Sequence, residues 1–88
     1  MIAPLDYPMR QEPATTIDLR VARRIRERRL RIGMTQQQLA RIIGVAFQQT
    51  HKYERGISRV SAGRLYHIAT ALQAPIDYFF AKEDGDGV

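Results

Sequence analysis

The 88 residues contain no cysteine, so no disulfide can staple the fold, and thiolate nucleophiles and cysteine-based zinc sites are excluded. No apolar run approaches the roughly 20 residues needed to cross a bilayer. Met1 is not followed by the basic stretch, apolar core and small-residue cleavage site of an export signal, so a cytoplasmic location is expected. The two histidines, His51 and His67, stand far apart with no carboxylate at ligand spacing, and no metal is expected. A carboxylate pair, a nucleophile with its base and a glycine-rich phosphate loop are all missing at usable spacing, which argues against an enzyme and against a cofactor. Nor does any segment alternate apolar and polar residues over strand length, which leaves an all-α fold.

Acidic residues are also scarce, 9 against 14 lysines and arginines, and their placement is uneven. Residues 17 to 80 carry twelve basic side chains against Asp18, Glu27, Glu54 and Asp77, a net +8, while both ends are net acidic. Such a field attracts polyanions, and counterion release from nucleic acid converts it into affinity. Residues 1 to 16 hold Pro4, Pro8 and Pro13 without apolar periodicity and read as a flexible arm. Residues 17 to 81 then form one folded domain, and residues 82 to 88, with Asp84, Gly85, Asp86 and Gly87, a flexible acidic tail.

Within the domain the spacing predicts five helices. The first carries Val21 and Ile25 on one stripe with Leu30 and Ile32 near its end, capped by Thr16 or Asp18 and stopped by Gly33. Thr35 caps a second over about 36 to 43, with Leu39, Ile42 and Ile43 at helical spacing and Gln38 completing a capping box. Gly44 ends it, Val45 follows as a buried plug, and a third helix runs from about Ala46 to Glu54. Ser61 caps a fourth on which Leu65, Ile68, Ala69 and Leu72 form an apolar stripe. Pro75 suits the first turn of a short last helix carrying Ile76, Phe79 and Phe80.

Helices two and three meet across a tight turn, where a steep crossing needs a small contact residue and a turn that accepts positive φ. Ala40 and Gly44 supply both. Leu39, Val45, Thr50 and Tyr53 then point inward and leave Phe47, Gln48, Gln49, His51 and Lys52 outside. Glutamine matches adenine's major-groove edge, lysine reaches guanine or phosphate, and an aromatic ring covers a thymine methyl, so these are candidate base contacts. Arg55 and Arg59, in the loop after helix three, are candidate phosphate contacts. The seven arginines of helix one point all round it and read mostly as solvated.

The stretch MTQQQLARIIGVAFQQTHKYERG, Met34 to Gly56, resembles the helix-turn-helix of the Xre, Cro and lambda-repressor type transcriptional regulators. The resemblance runs from Val21 to Phe80 and includes RIRERR in helix one, SAGRLYHIATAL and PIDYFF. It implies a compact five-helix lambda-repressor-like domain whose third helix reads bases, as a symmetric dimer on a palindromic operator and most simply as a repressor. It also implies that Thr35 and Gln36 contact phosphate at the start of helix two, and that Arg29 and Glu54 form an ion pair. Two positions depart from the pattern. Ala46 replaces the usual Ser or Thr cap, and Thr50 stands where Ile or Val is common, so a buried hydroxyl there would have to bond back to a helix carbonyl. Of Tyr78, Phe79 and Phe80, which cannot all face inward, at least one is expected to be exposed or in a homodimer contact. Two other readings keep the fold: an antitoxin with a toxin partner, and a protein-interaction module.

Overall fold

The computed structural model describes residues 14–82. Helix α1 spans Ala14–Arg31, α2 Gln36–Ile43, α3 Phe47–Glu54 and α4 Ala62–Leu72, and a 3-10 helix, Ile76–Phe80, closes the domain. The fold is all-α, with no strand among the described residues. The fifth helix is thus a short 3-10 turn, and Pro75 stands at its cap with φ −66°. α1 begins at Ala14, so Thr15 and Thr16 belong to it and neither Thr16 nor Asp18 caps it. The rest of the expected arm, residues 1–13, and residues 83–88 of the expected tail lie outside the described residues.

Local chemistry accounts for the boundaries of α2. The Thr35 hydroxyl accepts from the Gln38 N–H at 3.0 Å while the Gln38 side-chain oxygen accepts from the Thr35 N–H at 2.8 Å, so two donors that the helix leaves over are satisfied reciprocally. At the other end Gly44 takes φ 76°, and its N–H and that of Val45 both donate to the Ala40 carbonyl, at 2.9 and 3.0 Å. That left-handed residue reverses the chain in so few steps that α3 packs directly on α2. Ser61 caps α4 in the same manner as Thr35 caps α2, accepting from the Arg64 N–H at 3.1 Å.

The core gathers Val21 and Ile25 from α1, Leu39 and Ile43 from α2, Tyr53 from α3, Leu65, Ile68 and Leu72 from α4, and Phe79. Ile25, Leu39, Ile68, Leu72 and Phe79 are sealed from water, where truncation of one aliphatic side chain typically costs about 2–5 kcal/mol. Leu30, Ile32 and Ile42, expected to join these stripes, are exposed instead. At about 100° per residue, Leu30 falls off the Val21–Ile25 face, which Arg29 continues, and Ile42 lies about 160° from the buried Ala40. Ile32 stands just beyond the end of α1.

Of the closing aromatics, Phe79 is the buried one, Tyr78 is half-buried with its ring edge-on to Phe79, and Phe80 is exposed. Phe79 therefore cannot contribute to a homodimer contact, because its own domain already encloses it. Arginines bind the periphery together. Arg28 donates to the carbonyls of Leu72 and Gln73 at 2.9 and 3.0 Å, and Arg64 to that of Ile43 at 2.6 Å, satisfying the free carbonyls at the ends of α4 and α2. Arg24 lies over the Tyr78 ring, 4.9 Å from its centre, and donates to the Ala81 carbonyl at 2.9 Å. Arg20 and Arg29 are buried. Helix one is accordingly not a mostly solvated basic rod: four of its arginines are built into the fold and Arg23, Arg26 and Arg31 face solvent.

Candidate nucleic-acid interface

α3 shows two faces because its eight residues are anchored on one side. Thr50, Tyr53 and Glu54 are buried, and Phe47, Gln48, His51 and Lys52 line up exposed on the opposite side. Gln49, also expected outside, is half-buried at the edge of that row. Ala46, in extended geometry at φ −68° and ψ 150°, offers no side-chain cap. The Thr50 hydroxyl is enclosed without a hydrogen-bond partner, so the back-bond to a helix carbonyl expected of it is not formed. The Thr50 side chain is nonetheless fully buried.

The orientation of α3 is fixed by the Glu54 carboxylate. Arg29 approaches it side-on, Nε 2.5 Å from Oε2 and Nη2 2.9 Å from Oε1, and gives its remaining nitrogen to the Met34 carbonyl at 2.8 Å. Gln36 adds a donor to Oε1 at 3.0 Å. One carboxylate thus ties α1, α2 and α3, with the Arg29 and Glu54 side chains only 8% and 0% exposed. A buried charge is tolerable only when paired and hydrogen-bonded, and here every oxygen of the pair has its donor. Gln36, expected at phosphate, spends one amide hydrogen on this brace and keeps the other.

The remaining expected contacts are distributed around the α3 row. Thr35 is exposed at the start of α2, its hydroxyl oxygen engaged in the cap. Arg55 ends α3, exposed, with its N–H on the His51 carbonyl at 3.1 Å. Arg59 is exposed and its Nε lies 3.3 Å from the Asp18 carboxylate, so part of its charge is met by α1. Phe47 also borders the groove lined by Met34, Thr35, Gln36 and Gln37, which joins the α2 start to the α3 row. One residue of the face escaped sequence reasoning altogether: Ile57, 68% exposed beside Lys52, for which a lone aliphatic in a loop gives no signal.

Residues 25–79, which contain the two helices that cross at the glycine turn, match a helix-turn-helix family model. The chain belongs to the helix-turn-helix family. A helix-turn-helix relative, an uncharacterized transcriptional regulator in the ATPase CF(0) region of Rhodospirillum rubrum, is 56% identical over 71 residues, covering 80% of this chain and 66% of the relative. An HTH-type transcriptional regulator of Sinorhizobium fredii is 46% identical over 82 residues, covering 93% of this chain and 57% of that protein. The chain thus spans about half to two thirds of the length of these relatives. Among solved structures, the restriction-modification controller protein C.AhdI from Aeromonas hydrophila matches with a TM-score of 0.67 at 31% identity, over 70% of this chain and 94% of that one. Among the described residues, no helix is long and apolar enough to cross a membrane.

Proposed function

We propose that this helix-turn-helix protein is a sequence-specific transcriptional regulator, acting as a repressor, that inserts α3 into the major groove of a palindromic operator. The observation that carries this reading is the exposed row Phe47, Gln48, His51 and Lys52 on a helix held rigid by the buried Arg29–Glu54 pair. A glutamine amide and a lysine ammonium on a preordered helix are the groups that direct readout of base edges uses. Gln49, at the edge of the row, is placed to add a contact. Thr35, Gln36, Arg55 and Arg59 flank the row and are assigned to phosphates, which set register without reading sequence. The names of the relatives support the regulatory role.

A palindromic site calls for a symmetric dimer. We assign its interface to the C-terminal end, where Ile76 and Phe80 are exposed and Tyr78 is half-buried. The protein would act in the cytoplasm at the nucleoid. Selection from randomised duplex DNA tests the reading: enrichment of a palindrome with half-sites about one helical turn apart is expected. Recovery of unrelated sequences bound with equal affinity would refute it.

A further inference from the structure

The outward face of α3 is not flat. Phe47, Gln48, His51 and Lys52 line an open depression of about 450 Å³ together with Ile57 from the following loop. Its apolar walls are the Phe47 ring, 43% exposed, and the Ile57 side chain, which at 68% is the most exposed large hydrophobic side chain among the described residues. The backbone holds Ile57 in that position. The N–H groups of Ile57 and Ser58 both donate to the Lys52 carbonyl, at 3.0 and 3.3 Å, and that of Gly56 to the Tyr53 carbonyl at 3.2 Å. Gly56, at φ 72°, sits so close to α1 that an added Cβ would fall 2.6 Å from Leu19 Cδ2. The loop is therefore packed from behind, and Ile57 is presented to solvent on a fixed support.

Single exposed aliphatics need no special explanation. This one shares a concavity with a phenyl ring and is flanked by the Gln48 amide and the Lys52 ammonium, the groups assigned to base edges. The apolar group that a base offers in the major groove is the C5-methyl of a pyrimidine, which thymine carries and cytosine acquires on methylation. We propose that the notch between Phe47 and Ile57 is a binding site for a pyrimidine C5-methyl group, with Ile57 a specificity-determining residue. The proposal rests on the reading of α3 as the base-contacting helix. Gln48 beside the notch suits an adenine edge, so the amide and the notch together recognise an A·T pair from its two bases. A 5-methylcytosine presents the same methyl and would enter the same notch.

The test uses the duplex that the full chain selects. Each thymine is replaced in turn by deoxyuridine, which removes only the methyl group, and each cytosine by 5-methylcytosine. Wild type, Ile57→Ala and Ile57→Val are then titrated by fluorescence anisotropy, with thermal unfolding to show that the exposed substitutions leave the fold intact. If thymine is the source, one deoxyuridine position per half-site weakens wild type about fourfold, the worth of one buried methyl group. Ile57→Val keeps that sensitivity and Ile57→Ala loses it. If methylated cytosine is the source, one 5-methylcytosine strengthens wild type by a similar factor, again not in Ile57→Ala. Indifference of wild type to every pyrimidine methyl, or full sensitivity retained in Ile57→Ala, overturns the proposal and leaves the reading of α3 standing. Failure to select any duplex overturns both.

Discussion

Replacing Glu54 by glutamine preserves the side chain's shape and removes its charge. The carboxylate accepts from Arg29 Nε and Nη2 and from Gln36 Nε2. A glutamine carbonyl can serve only part of that set, and its NH2 group would face donors in a place where the Glu54 side chain is 0% exposed. Breaking one partner of a buried ion pair typically costs about 3–5 kcal/mol, because the surviving charge stays enclosed without compensation. Total stability of small domains is on the order of 5–15 kcal/mol, so Glu54→Gln should lose a large share of it. Arg29→Met should cost a similar amount for the mirror-image reason. The double variant Arg29→Met with Glu54→Gln should cost clearly less than the two singles added, since no unpaired charge remains. Urea unfolding of the four proteins, read at constant m, supplies the cycle. A Glu54→Gln protein within about 1 kcal/mol of wild type, or fully additive singles, would refute the argument that this pair fixes α3 against α1 and α2.

Three further substitutions act on single features of the helices. Thr50→Val removes a hydroxyl that is buried without a partner and keeps the shape, so denaturant unfolding should show a gain of about 1 kcal/mol or more. Ala46→Ser supplies the missing cap at a residue already in extended geometry and should raise stability by about 1 kcal/mol, with slower amide exchange in the first turn of α3. Gln73 ends α4 at φ 56°, a conformation glycine adopts without the Cβ penalty of roughly 1 kcal/mol, so Gln73→Gly should raise Tm despite its freer unfolded chain. A lowered Tm would show that the entropy glycine adds to the unfolded chain outweighs the Cβ penalty relieved at this position.

The parts of the fold that were legible in the sequence are those set by neighbours in the chain. The Thr35–Gln38 capping box, the Gly44 reversal and the Ser61 cap each need only a few consecutive residues, and the structure places α2, Gln36–Ile43, between the first two and starts α4 at Ala62, directly after the third. The parts that were not legible depend on distant acceptors. Nothing near Arg28 announces the Leu72 carbonyl 44 residues away, so an arginine that caps α4 looks like one more solvated charge. Apolar character alone misplaced Leu30, which at about 100° per residue lies off the Ile25 face that Arg29 continues, and Ile42, from which the buried Ala40 draws the α2 stripe away. The rule for buried threonines predicts a back-bond that Thr50 does not make. The three closing aromatics compel one to be exposed without saying that Phe79 is the enclosed one. In the candidate site, the outward row on α3 followed from period and turn chemistry, whereas the dual role of Gln36 and the presentation of Ile57 required the third dimension.

On the proposed reading, the exposed row of α3, rather than charge alone, selects DNA. Affinity for the selected duplex and for a scrambled duplex, at two salt concentrations, for wild type and for Gln48→Ala with Lys52→Ala, separates the two. A wild-type preference of at least about 10³ that the double variant largely loses, while salt-dependent binding to scrambled DNA persists, is the predicted result. Equal affinity for both duplexes, weakened by salt and indifferent to the two substitutions, would contradict it.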